Sequence, residues 1–253
     1  MIVVLYSGGI GSYSAAKRLV SHGAEVTLLF TDTLIEDEEL YEFLDASRKV
    51  LGVPLVRIAD GRTPWEVFKD VRMIGNTRID PCSRILKRDL ARKWMDSHFP
   101  DGGTLALGID WSEQHRFVSA RTRWLPHTAV APMCDEPLME KRDMLAEAER
   151  DGLKIPRLYR MGFAHNNCGG FCVKAGQGHF AKLLQEMPER YAEHEAKEEE
   201  MRKFLDADVS ILRDRRGGQT KPYTLRKLRE DIEAGCQYDM FDIGGCGCMT
   251  EAP

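Results

Sequence analysis

The feature that most constrains this chain is the order of its first 131 residues, where short apolar runs alternate with amphipathic stretches. Ile2–Tyr6 is an apolar run fit for a buried strand, and residues 14–22 then place Ala15, Ala16, Leu19 and Val20 at helical spacing. Residues 25–30 read as the next strand, 37–51 as a polar-faced helix and 55–58 as a third strand. Helices are expected around 64–71 and 83–97, and 104–109 and 128–131 read as two further strands. This repetition predicts an α/β fold, a Rossmann-like parallel sheet covered on both faces by helices. Ligands of such sheets bind beyond the C-terminal ends of the strands, near a topological switch point.

Beyond about residue 137 the strand signals fade. Residues 140–150 form a charged helical pattern, and 171–205 read as mostly helical, interrupted by Gly176, Gly178 and Pro188. A polar, glycine-bearing stretch follows, with one helix expected near 225–234. The expected organisation is a nucleotide-binding domain over residues 1–136 and a helical, cysteine-bearing extension with a flexible tail over residues 137–253. A length of 253 residues allows a real core without covalent staples.

Charge narrows the partners. A net charge of −4 gives no footprint for tight, nonspecific binding to nucleic acid. The one local basic run, Arg213, Arg215, Arg216 and Lys221, reads most simply as a solvated loop. No apolar stretch approaches the length of a membrane span, so no membrane partner is expected. The glycine loop begins by residue 7, which leaves no room before it for a signal peptide, and a cytoplasmic location is expected.

Between the first strand and the first helix stands Ser7-Gly8-Gly9-Ile10-Gly11-Ser12. Glycines there let the backbone turn tightly and bring N–H groups close to an anion. The helix N-terminus adds partial positive charge, and the hydroxyls of Ser7 and Ser12 supply donors. The stretch resembles the PP-loop, S-G-G-x-D-S/T, of the ATP pyrophosphatases (adenine nucleotide alpha hydrolases). It lacks the Gly-Lys-Ser/Thr ending of Walker A and does not fit G-x-G-x-x-G. Gly11 stands where the family usually carries Asp, so the cradle here rests on backbone and hydroxyls. Thr31-Asp32-Thr33 resembles the D-T segment that relatives carry near the adenosine. Gly108 to Arg116, Gly-Ile-Asp-Trp-Ser-Glu-Gln-His-Arg, resembles their G-x-x-x-x-E-x-x-R. The resemblance implies ATP and Mg²⁺ as ligands, with Ser7, Gly8, Gly9, Gly11, Ser12, Asp32, Gly108 and Glu113 binding the nucleotide. It implies Lys87 and Arg116 as the residues that balance phosphate charge.

Seven cysteines in a chain expected to be cytosolic point to metal, cluster or redox chemistry before a disulfide framework. Cys82-Ser83-Arg84-Ile85-Leu86-Lys87 resembles a segment of the phosphoadenylylsulfate reductase branch of the same superfamily. Residues 155–163, followed by Cys168 and Cys172, resemble that branch's P-x-x-L-x-x-x-G-[YF] and cysteine pair. The resemblance implies an iron–sulfur cluster, [4Fe–4S], on Cys82, Cys168 and Cys172. A structural zinc site completed by His165 or His179, or unconnected buried cysteines, are the other readings of the same residues. Cys246 and Cys248 follow Gly244-Gly245 and are expected to act as a persulfide carrier or a fourth cluster ligand.

Together these resemblances imply an ATP-dependent sulfurtransferase. It would be supplied by a sulfur donor such as a cysteine desulfurase and would act on an acceptor that includes nucleic acid among its candidates, as in DNA phosphorothioation. Homo-oligomerisation is compatible with this reading. A sulfonucleotide reductase and a non-catalytic nucleotide sensor are the alternatives. The reductase would release sulfite and hydrolyse no ATP, and the sensor would bind ATP without turnover.

Overall fold

The computed structural model describes residues 1–215 and 218–244. These form two compact units: the first comprises Met1–Gly61 and Ile85–Gly169, and the second Arg62–Arg84 and residues 170–244.

The first unit is built on β1 (Ile2–Leu5), α1 (Ile10–Ser21), β2 (Val26–Asp32), α2 (Glu38–Leu51) and β3 (Leu55–Ala59). The chain then passes through α3 (Pro64–Asp70) and α4 (Pro81–Ser83) of the second unit. It re-enters the first through a π-helical turn at Arg84–Asp89, which runs on into α5 (Leu90–His98). The unit is completed by β4 (Thr104–Ala106), α6 (Gln114–Arg123), β5 (Thr128–Val130), α7 (Lys141–Arg150) and α8 (Arg157–Arg160). The five strands lie in the order β3-β2-β1-β4-β5, and every neighbouring pair is parallel. The expected α/β sheet is therefore present.

Strand side chains alternate between faces, and the central strands β1 and β2 are covered on both. Val4, Tyr6, Leu28, Phe30 and Ala106 pack with Tyr13, Ala16, Leu40, Phe43, Met144 and Ala148 of α1, α2 and α7. On the opposite face Val3, Leu5, Leu29, Leu105 and Ala129 pack with Ala91 and Met95 of α5 and Ala120 and Trp124 beside α6. Helices thus flank the sheet on both sides. Asp37 caps α2 by accepting from Glu39 N, and Gly52 ends it in the left-handed conformation that glycine adopts without a Cβ penalty.

Two boundaries differ from the sequence reading in ways that matter. The strand expected over 104–109 pairs only through Ala106, because the chain turns away at Gly108. α1 starts at Ile10 rather than at residue 14, so Gly11 and Ser12 belong to its first turn.

The second unit is mostly helical: α9 (Gln177–Glu186), α10 (Pro188–Leu205) and α11 (Leu225–Glu233), with an antiparallel hairpin of β6 (Leu212–Asp214) and β7 (Lys221–Tyr223). Its core includes Trp65, Phe68, Phe171, Phe180 and His194. Trp65 Nε1 donates to His194 Nδ1 at 3.0 Å, and the His194 ring stacks on Phe171 at 3.7 Å. Glu198, wholly buried in α10, accepts from the backbone N–H of Ile211 (2.8 Å) and of Leu225 (2.6 Å), which ties the hairpin and α11 to one carboxyl. Residues 239–244 run across the start of α9, where Gly178 N donates to Asp242 O and a Cβ on Gly178 would meet Met240 O at 2.3 Å. Among the described residues no helix is long and apolar enough to cross a membrane.

Candidate functional site

The chain fills one half of the first unit's sheet with β1, β2 and β3, then crosses to the other side of β1 with β4. The switch point therefore lies between the C-terminal ends of β1 and β4, where open parallel sheets hold ligands. The glycine loop leaves β1 at this place and Gly108 follows β4. Their backbones touch. A Cβ on Gly11 would stand 2.7 Å from Gly108 O, and a Cβ on Gly108 would stand 2.5 Å from Ser12 N. Gly8 has φ +74 and its missing side chain leaves room for Leu40. A side chain at position 11 would therefore collide with the backbone of Gly108.

Within the loop, Ser12 Oγ donates to Gly9 O at 2.8 Å and lies 3.4 Å from Ser7 Oγ. Gly9, the N-cap of α1, supplies no side-chain cap, and the first turn of α1 holds no acidic residue. Nothing anionic on α1 itself compensates the positive end of the helix.

Two residues outside the sequence motif hold this loop. Tyr159 of α8 accepts a hydrogen bond on its hydroxyl from Ile10 N at 2.9 Å, and Asn166 Nδ2 donates to Gly8 O at 3.1 Å. No local pattern marks either residue, since each lies about 150 positions from its partner in the chain; the separations are 149 and 158. The preceding Arg157 is itself fixed by a two-pronged contact from Nε (2.9 Å) and Nη2 (2.7 Å) to Asp37 Oδ2.

Beside the loop is a narrow cleft lined by Leu5, Tyr6, Ser7, Leu29, Phe30, Thr31 and Lys87. Lys87, buried within the π-helical turn, points its ammonium to within 3.5 Å of Glu36 Oε1 and 3.8 Å of Cys168 Sγ. Glu36 also accepts from Thr33 Oγ1 at 2.9 Å and from Cys168 N.

The remaining expected residues are placed as follows. Asp32 is fully buried and accepts from Arg57 Nε (2.8 Å), Tyr41 Oη (2.9 Å) and Leu34 N (2.9 Å). It organises the turn after β2. Glu113 and Arg116 form an ion pair with each other next to α6. Cys168 is buried in the first unit with a left-handed backbone, φ +52, followed by Gly169 at φ +57. Cys82 and Cys172 are half-buried in the second unit. Among the described residues no group of three or more His, Cys, Asp or Glu side chains is placed to hold a metal ion. Of the alternative ligands, His179 engages Gly170 O through Nε2 at 2.6 Å, and burial lowers its pKa. Cys246 and Cys248 lie outside the described residues.

No protein-family model matches the chain, and no curated protein matches it. The functional reading rests on the residues themselves.

Proposed function

We propose that the chain is a PP-loop ATP pyrophosphatase of the HUP type that activates an acceptor for sulfur transfer. One observation carries the reading: the mutual backbone approach of Gly11 and Gly108 at the switch point, which packs a Ser-Gly-Gly loop and a helix N-terminus with no carboxylate of its own against the end of β4. Such a cradle favours an anion with several oxygens.

In this reading ATP lies with its base in the cleft walled by Leu29, Phe30 and Thr31, and its phosphates at residues 7–12. An acceptor oxygen attacks the α-phosphorus, the bond to the bridging oxygen breaks, and pyrophosphate leaves. The loop N–H groups and the Lys87 ammonium stabilise the charge that gathers on the leaving group. Glu36 holds Lys87 in place and keeps its charge from being buried alone. Mg²⁺ neutralises phosphate charge. The terminal sulfur of a persulfide donor such as a cysteine desulfurase then displaces AMP from the adenylated acceptor, and an external thiol reduces the resulting acceptor–donor disulfide to release the thiolated acceptor. Arg116 and Glu113 act at the acceptor side of the same loop, and Asp32 acts through the turn it braces. The iron–sulfur cluster and a sulfur-carrying role for Cys246 and Cys248 are separate proposals within this reading.

The test is pyrophosphate release from ATP under multiple turnover, with and without a persulfide donor. ATP-dependent pyrophosphate release supports the reading. ATP binding without turnover replaces it with a sensor, and sulfite release from a sulfonucleotide without ATP hydrolysis replaces it with a reductase.

A further inference from the structure

Asn166 is a residue that no motif announces, and its side chain is only half satisfied. Its Nδ2 donates to Gly8 O at 3.1 Å, while its Oδ1 is buried and has no hydrogen-bond partner among the described residues. The residue is 1% exposed. The amide orientation is fixed by the bond to Gly8, because a flip would set two oxygens against each other. A buried acceptor left without a donor is costly, and such atoms in native structures call for an explanation.

The neighbourhood says what kind of partner is missing. Asn166 grips the same glycine loop that offers its N–H groups and the N-terminus of α1 to an anion. A phosphate oxygen cannot satisfy Oδ1, since both are acceptors. The missing group is a donor, and a ligand whose phosphates sit on this loop can carry one. In a nucleotide the donors covalently closest to the phosphates are the sugar hydroxyls, and the amine of adenine lies at the far end.

Resting on the nucleotide reading above, we propose that Asn166 is a specificity-determining residue that accepts a hydrogen bond from a ribose hydroxyl. Through the same amide it couples sugar recognition to the position of Gly8. The site then prefers ribonucleotides to deoxyribonucleotides and to bare polyphosphate.

The experiment is a cycle of ligands against variants by calorimetry. ATP, 2′-deoxy-ATP, 3′-deoxy-ATP and tripolyphosphate are titrated into the wild-type protein, Asn166→Ala and Asn166→Asp. The wild type is expected to bind one deoxy analogue about tenfold more weakly than ATP, the worth of one hydrogen bond to a buried acceptor. Asn166→Ala should bind every ligand more weakly and no longer distinguish ATP from that analogue. Asn166→Asp, which keeps an acceptor oxygen and loses the donor to Gly8, should retain the discrimination at lower overall affinity. If the wild type binds ATP but treats all three nucleotides alike, or if Asn166→Ala discriminates as well as wild type, the inference is overturned while the nucleotide reading stands. If the alanine variant does not fold, the wild-type comparison and Asn166→Asp decide. A wild type that binds no ATP overturns both.

Discussion

A Cβ placed on Gly11 would stand 2.7 Å from the carbonyl oxygen of Gly108. The two glycines let the turn after β1 and the turn after β4 share one narrow space at the switch point of the sheet. Substituting either one forces backbone to move, which costs roughly 1–3 kcal/mol when a packed region is overfilled. Gly11→Asp should therefore lower thermal stability and abolish ATP binding. Denaturation midpoints and ATP titration of this variant check it. A stable Gly11→Asp protein that binds ATP at wild-type strength contradicts the packing argument.

Lys87 and Glu36 form a buried pair at the cleft wall. Lys87→Met leaves Glu36 without its cation and should cost roughly 3–5 kcal/mol of stability. Adding Glu36→Gln should recover most of that loss, because no charge then remains buried. Pyrophosphate release should stay lost in both proteins, since the leaving group has lost its cation. Urea denaturation and a pyrophosphate assay separate these effects. Wild-type turnover by the double variant would show that the lysine serves the fold alone.

Two buried groups of the second unit set the pH dependence of its stability in opposite directions. Burial pushes the Glu198 carboxyl up to about 7, despite the backbone N–H groups of Ile211 and Leu225 that pull it down. The raised group contributes its full stability below the unfolded value and loses it as pH rises through about 7. Burial pushes His194 down to about 3, with Arg190 acting in the same sense. Its contribution is complete above the ordinary histidine range and is lost as pH falls towards 3. Melting temperature should therefore fall off at both ends of the range from pH 4 to 8. Glu198→Gln should flatten the alkaline limb, and a neutral aromatic such as His194→Phe the acid limb. An unchanged profile in both variants would remove the assignment.

Cys82 and Cys172 belong to the second unit, whereas the loop, the cleft and Lys87 belong to the first. The visible spectrum of anaerobically purified protein tests the cluster proposal independently. A brown protein bleached by Cys82→Ala or Cys172→Ala supports a cluster, and a colourless one with bound zinc replaces it.

The sheet was legible because β1 and β2 are apolar runs buried on both faces, and helices with an obvious stripe separate the strands. The hairpin was not. β6 and β7 are three residues each and include Arg213, Asp214, Lys221 and Pro222, so neither apolar alternation nor length marks them as strands. α6 was missed for a similar reason, since Ala120 is its one buried residue. Gly178 reads in sequence as a helix breaker, but it lies inside α9, where the close approach of Met240 O requires a residue without a side chain. At the site, the glycine loop announced itself through local spacing. Tyr159 and Asn166 are single polar residues whose meaning comes from the distant backbone atoms they hold, and only the fold brings those together.

The central claim is tested most directly by titrating ATP with Mg²⁺ into the wild-type protein and into Gly9→Val. A Cβ on Gly9 already approaches Tyr159 Oη at 3.2 Å and Ser7 Oγ at 3.3 Å, so a branched side chain fills the mouth of the loop. Saturable binding by wild type, weakened about tenfold or more in a folded Gly9→Val protein, is the predicted result. No ATP binding by wild type, or equal affinity in the folded variant, would contradict the account.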